Sequence, residues 1–150
     1  MNVSPRKRVW VMSELAYEDI KVGDEASLAR TMTETHIVNY AGITGDMNPI
    51  HVDAEYAAHS MFKERIAHGM LVAGLISAVL GTQLPGPNSI YLGQDLSFVA
   101  PVMIGDTITV VVTVTGKRDE KRIIKLRTAA YNQRGEMVLD GHAVVKKVGL

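Results

Sequence analysis

From Tyr40 to His51 the sequence runs Tyr-Ala-Gly-Ile-Thr-Gly-Asp-Met-Asn-Pro-Ile-His, the one stretch where polar functional groups and chain breakers are dense. Asp46 and His51 stand five positions apart in it, on a segment with neither helical nor strand periodicity. Gly45 opens backbone conformations closed to other residues, and Pro49 fixes the chain after Asn48, so both side chains are carried on a rigid bend. A carboxylate and an imidazole that converge on one water are the minimum apparatus for general acid/base chemistry near neutral pH. The bland alternative is an Asx turn closed by Asp46 on its own backbone and a satisfied, partly buried His51. On these two residues alone both readings stand.

The elements that must hold this segment are legible from period. Residues 33–44 begin on a capping Thr33 and place Ile37, Tyr40 and Ala41 on one helical face; His36 at the third following position leaves the cap without the Glu of a full capping box. Residues 53–59 read as a second short helix with Asp53 as N-cap. Residues 68–84 carry apolar residues on every face and no charge in seventeen positions, so this helix is expected to be enclosed on all sides until Pro85-Gly86-Pro87 ends it. Thereafter the period is two. In residues 106–115, Ile108, Val110, Val112 and Val114 alternate with threonines, as a half-buried strand requires. Residues 121–131 set Ile124, Leu126 and Ala130 against basic neighbours, and residues 90–100 and 137–148 complete a four-stranded antiparallel run, with a further strand at residues 26–32. One sheet face needs cover and one apolar helix is available, so the expected class is α+β, a sheet curled around the helix at 68–84.

Composition narrows the function further. At 150 residues and 47% hydrophobic content one domain over 1–150 is expected, with residues 1–13 as a flexible extension. Cysteine is absent, which excludes a disulfide framework, a thiolate nucleophile and a Cys-type zinc site, and suits a reducing compartment. Sixteen basic residues balance sixteen acidic ones, so no global field favours nucleic acid or an anionic membrane, and Arg6-Lys7-Arg8 reads as a solvated tail. No apolar run suits a secretory signal or a membrane span, so a soluble, cytoplasmic protein with no membrane partner is expected.

The string Tyr40…Gly45-Asp46-Met47-Asn48-Pro49-Ile50-His51, with Ala57 six positions beyond, resembles the signature of the MaoC-like (R)-specific enoyl-CoA hydratases. The likeness continues through His68-Gly69-Met70 and Ser89-Ile90-Tyr91-Leu92-Gly93-Gln94 to the C-terminal strands. It implies a hot-dog fold, an antiparallel sheet wrapped around a long central helix, which agrees with the architecture read from period. It also implies that Asp46 and His51 activate the water that adds to a trans-2-enoyl-CoA, with Asn48 and Ser77 in support and the Gly69 amide bonding the thioester carbonyl. Gly69 falls in the first turn of the apolar helix, where N–H groups lack helical acceptors and suit an oxyanion. No cofactor is implied, coenzyme A being part of the acyl-CoA substrate. A homodimer or dimer of dimers is the expected assembly, and Lys63 and Arg65 are candidates to meet the CoA phosphates.

Rival assignments carry less. His51, His59 and His68 near Asp46 and Asp53 show no recognised metal-ligand spacing, so no metal is expected, with His59 and His142 read as surface residues. Ser77 lacks the G-x-S-x-G elbow of a serine hydrolase, and no nucleotide-binding glycine motif occurs. A hot-dog thioesterase generally places a carboxylate on or beside the central helix, and residues 68–84 contain none. A noncatalytic acyl-CoA-binding module would need the pocket without the acid/base pair. Met12, Met47, Met61, Met70 and Met103 are read as core filler or acyl-tunnel lining.

Overall fold

A computed structural model describes residues 14–149; the expected extension at 1–13, Arg6-Lys7-Arg8 and Met12 lie outside the described residues. Five strands form one antiparallel sheet in the order β1 (Glu25–Thr31), β3 (Thr107–Arg118), β4 (Ile123–Tyr131), β5 (Met137–Lys147), β2 (Ser89–Phe98). The long helix α4 (Gly69–Thr82) packs against the sheet, while α1 (Glu34–Thr44), α2 (Pro49–Val52) and α3 (Ala54–Ala58) fill the connection from β1 to α4. This is the α+β arrangement expected from the period and the hot-dog fold that the resemblance implies, with α2 as a one-turn helix that the chain breakers around Pro49 concealed.

Alternation in β3 places Ile108, Val110, Val112 and Val114 against the helix, each at most 1% exposed. Ile124, Leu126, Thr128 and Ala130 of β4 form the adjoining buried row, so the inward set includes a threonine that hydropathy alone left out. Across from them α4 buries Val72, Leu75, Ile76, Val79 and Leu80. Full burial of each such aliphatic side chain contributes about 1.5–3 kcal/mol, which makes this contact the main source of stability. The helix is not enclosed all round: Met70, Gly74, Ser77 and Gly81 form an open stripe at helical spacing on the face turned from the sheet.

Local details depart from the sequence reading in informative ways. β3 runs past the expected turn at 116 to Arg118, because a bulge between Val114 and Gly116 absorbs one residue; a 3-10 turn (Asp119–Lys121) and Arg122 at φ 53° then start β4 two residues later than expected. At the start of α1 the capping box is complete after all. His36 N–H donates to Thr33 Oγ1, and His36 Nδ1 accepts from the Thr33 N–H at 3.2 Å, the imidazole serving where Glu is usual. At one end of the sheet the buried Tyr17 donates its hydroxyl to Asp119 Oδ1 at 2.7 Å, while Lys117 Nζ lies 4.0 Å over the Tyr17 ring. Lys117 also donates to the Tyr17 and Ile20 carbonyls, tying the entering chain to β3.

Candidate active site

The bend at 45–51 forms because each residue there ends one element or starts the next. Gly45 closes α1 in the left-handed region at φ 79°, its N–H donating to the Ala41 carbonyl. Asn48 caps α2 by accepting from the Ile50 N–H at 3.2 Å, and Pro49 occupies the first turn, where no N–H is needed. Asp53 then caps α3 through the Tyr56 N–H. Asn48 is thus the residue that sets the angle between the Asp46 loop and the helix carrying His51.

Asp46 is exposed and His51 is 8% exposed. Asp46 Oδ1 accepts from the Asn48 N–H at 3.3 Å, so the Asx turn of the bland reading is present and occupies one carboxylate oxygen. His51 Nδ1 lies 2.8 Å from the Ile66 carbonyl oxygen; a carbonyl only accepts, so Nδ1 carries the hydrogen and Nε2 is the nitrogen free for chemistry. Polar atoms of Asp46, His51 and His68 lie within 4.8 Å of one another, a gap that a single water spans with two hydrogen bonds. His68, 2% exposed, stacks on His51 at 3.9 Å between ring centroids and 30° between planes, with Tyr40 packed on its ring at 4.7 Å. The same spacing of Asp46, His51 and His68 would let the three side chains share a metal ion, but His51 Nδ1 and His68 Nε2 each face a backbone carbonyl and so carry hydrogens, which leaves one ring nitrogen of each histidine as a donor.

This group lines a cavity of about 520 Å³. Phe62, Val72, Val102, Val138 and Leu139 supply an apolar wall, and Gly69 lies on the lining beside the His pair. Among the described residues the Gly69 N–H donates to no carbonyl, as expected in a first helical turn, and it lies at the end of the helix dipole that favours negative charge. A Cβ at Gly69 would stand 2.6 Å from Phe98 Cε1, so the absence of a side chain is what lets that ring and the amide share the space.

The remaining sequence candidates are placed apart from this group. Ser77 lies on the open stripe of α4, outside the cavity lining, and Lys63 is exposed in the left-handed region at φ 66°. Arg65 pairs with Glu34 at 2.6 Å, at the start of α1. His59 and His142 are surface residues, each beside an acidic partner, Glu55 and Asp95. From sequence, His68 is a helix start, part of the family likeness and one of the histidines weighed as metal ligands, with no role in the site; its burial against His51 had one further signal, the polar residue that opens an otherwise wholly apolar run.

An antiparallel sheet around a central helix, with a carboxylate and an imidazole facing one water-sized gap beside a free helix-start amide, defines a hot-dog domain equipped for acid/base work on a ligand with an apolar arm. The chain belongs to the MaoC-like family: the family model described as "MaoC like domain" matches residues 19–134. It is 54% identical over 129 residues to an (R)-specific enoyl-CoA hydratase of Rhodospirillum rubrum, covering 86% of this chain and 89% of the relative. It is 47% identical over 132 residues to a 3-hydroxybutyryl-CoA dehydratase of Methylorubrum extorquens, covering 88% and 83%. Among solved structures, an (R)-hydratase from A. caviae involved in PHA biosynthesis superposes with a TM-score of 0.85 at 43% identity, covering 87% of this chain and 99% of that one.

Proposed function

We propose that this protein catalyses the reversible addition of water to trans-2-enoyl-CoA, giving (R)-3-hydroxyacyl-CoA. The observation that carries the reading is the pair of Asp46 and His51, whose polar atoms lie within 4.8 Å of one another on the lining of an apolar cavity that Gly69 also lines. The thioester oxygen accepts from the Gly69 N–H, and the acyl chain lies along Val72, Val138 and Leu139. Asp46 and His51 hold the water; one removes a proton as its oxygen bonds to C3, and a proton is delivered to C2 as the double bond becomes single. Charge that moves onto the thioester oxygen meets the amide, a donor worth about 3–4 kcal/mol when preorganised. No cofactor enters these steps, and the configuration at C3 follows that named for the Rhodospirillum relative.

The working unit in this reading is a homodimer, alone or paired into a dimer of dimers. Ile90, Tyr91, Leu92 and Phe98 on the edge strand β2 are each more than 40% exposed, and the α4 stripe through Ser77 is open. An apolar edge left unpaired is a ready surface for a second copy. Ser77 would then act from that interface rather than from the lining of one chain. No helix of the described residues is long and apolar enough to cross a membrane, and a chain without cysteine fits the cytoplasm. Loss of crotonyl-CoA absorbance on adding the protein, without release of free thiol, is the expected result. Free thiol at the rate of absorbance loss would establish a thioesterase instead, and no change in either would leave a binding module.

A further inference from the structure

His68 occupies the N-cap of α4, yet its side chain makes no capping bond to that helix. Helix starts favour Ser, Thr, Asp or Asn, so a buried imidazole there has another use. Its Nε2 donates to the Asp46 backbone carbonyl at 3.0 Å, across 22 positions of sequence. Every other hydrogen bond of residues 45–48 is local: Gly45 N–H to Ala41, Asp46 N–H to Thr44 Oγ1, Met47 N–H to Gly45, Asn48 N–H to Asp46 Oδ1, and the two bonds by which Asn48 starts α2. Among the described residues, the His68 bond alone ties this exposed loop to a distant part of the chain.

The anchor itself is fixed. Ile66 bridges to Met103 and donates its N–H to the Ile50 carbonyl, and the Ala67 N–H donates to the Val102 carbonyl at 2.8 Å. The same ring that holds Asp46 also supports His51 by stacking at 3.9 Å. Because Nε2 faces a carbonyl it carries the hydrogen, and among the described residues the buried Nδ1 meets no hydrogen-bond partner. The ring touches both members of the pair.

We propose that His68 is a positioning residue, which sets Asp46 and His51 on one water by bonding the Asp46 carbonyl and backing the His51 ring. The claim rests on the hydratase reading above. Two variants separate its parts: His68→Phe keeps a flat ring against His51 and loses the donor, and His68→Gln keeps a donor near the Nε2 position. With crotonyl-CoA, His68→Phe is expected to lower kcat roughly 10–10²-fold, the scale of a misplaced catalytic group, with KM nearly unchanged. His68→Gln recovers part of that loss. Amide hydrogen exchange at 46–48 speeds up in His68→Phe and less so in His68→Gln. Undiminished kcat in His68→Phe, a loss confined to KM, no recovery in His68→Gln, or unaltered exchange at 46–48 would each overturn the proposal. If His68→Phe fails to fold, His68→Leu takes its place: lower kcat and faster exchange at 46–48 than in His68→Gln uphold the donor's role, and equal values in the two variants refute it. Wild-type protein that leaves crotonyl-CoA untouched would overturn the hydratase reading, and the exchange comparison would still judge the anchor.

Discussion

Gly141→Ala puts a methyl group into the tightest backbone approach of the sheet. Gly141 belongs to the buried row of β5, and an added Cβ would collide with the Asp95 carbonyl oxygen of β2 while standing 3.0 Å from the carbonyl carbon and 3.1 Å from Gln94 Nε2. Gln94 crosses over this glycine to donate to Thr128 Oγ1 at 2.8 Å. A peptide group cannot rotate aside as a side chain can, so β2 must retreat by roughly an ångström to reach ordinary contact. Overpacking of that kind costs about 1–3 kcal/mol. The ladder bonds next to Asp95 and the Gln94–Thr128 bond lengthen as well, at about 0.5–1.5 kcal/mol each. The total is about 3–5 kcal/mol, or a fall in Tm of about 6–20 °C for a chain of this size. Thermal unfolding followed by circular dichroism, with urea titration as a second measure, reads this directly. A Tm within about 2 °C of wild type, under 1 kcal/mol on the same scale, would refute the claim that β2 is pinned over Gly141.

Gly69→Ala is the contrasting case: the clash is with the tip of the half-exposed Phe98 ring, which can swing away, so the variant keeps a near-native Tm while kcat/KM for crotonyl-CoA falls at least tenfold as the oxyanion position is crowded. Tyr17 links stability to alkaline pH. Its burial, then the hydrogen bond and charge of Asp119, push the phenol up to about 12 from 10.0. The folded state therefore holds this proton more tightly than the unfolded one, and the resulting stability is fully present below pH 10 and is lost as pH rises towards 12. Urea midpoints of wild type and Tyr17→Phe at pH 9 and pH 11.5 are expected to converge at the higher pH; a constant difference would contradict the assignment. Lys63→Gly removes a charge while suiting the positive φ of that position, so it leaves Tm unchanged or raised and increases KM for the CoA substrate. An unaltered KM would remove Lys63 from the phosphate contacts, and Arg65→Gln tests Arg65 by the same measurement.

What the sequence discloses depends on how local the cause is. The period of β3 and the apolar run of α4 are written in consecutive residues, and both elements stand where the period puts them, α4 within two residues at each end. The Asp46 and His51 bend is equally local, since Gly45, Asn48 and Pro49 each do their work within a few positions. The strand order is not local: β1 pairs with β3 and β2 with β5, pairings that depend on which edges remain free once the helix is packed. The bulge at 115 is hidden for a similar reason, because threonine suits either register and only the partner strand decides. His68 was missed as a member of the site because its contacts, to Asp46 and His51, span 22 and 17 positions and leave no periodic trace. The open stripe on α4 departs from the expectation of full enclosure because Gly74, Ser77 and Gly81 count as apolar or neutral in a helix pattern yet reach nothing in one chain.

The central claim is that Asp46 and His51 act as one unit on a single water. Steady-state hydration of crotonyl-CoA by Asp46→Asn, His51→Ala and the double variant, each verified as folded, tests it most directly. Each single change is expected to lower kcat by roughly 10²–10⁴, with the double variant little worse than the poorer single one. Substantial turnover in folded Asp46→Asn, or defects that multiply independently in the double variant, would contradict a shared water.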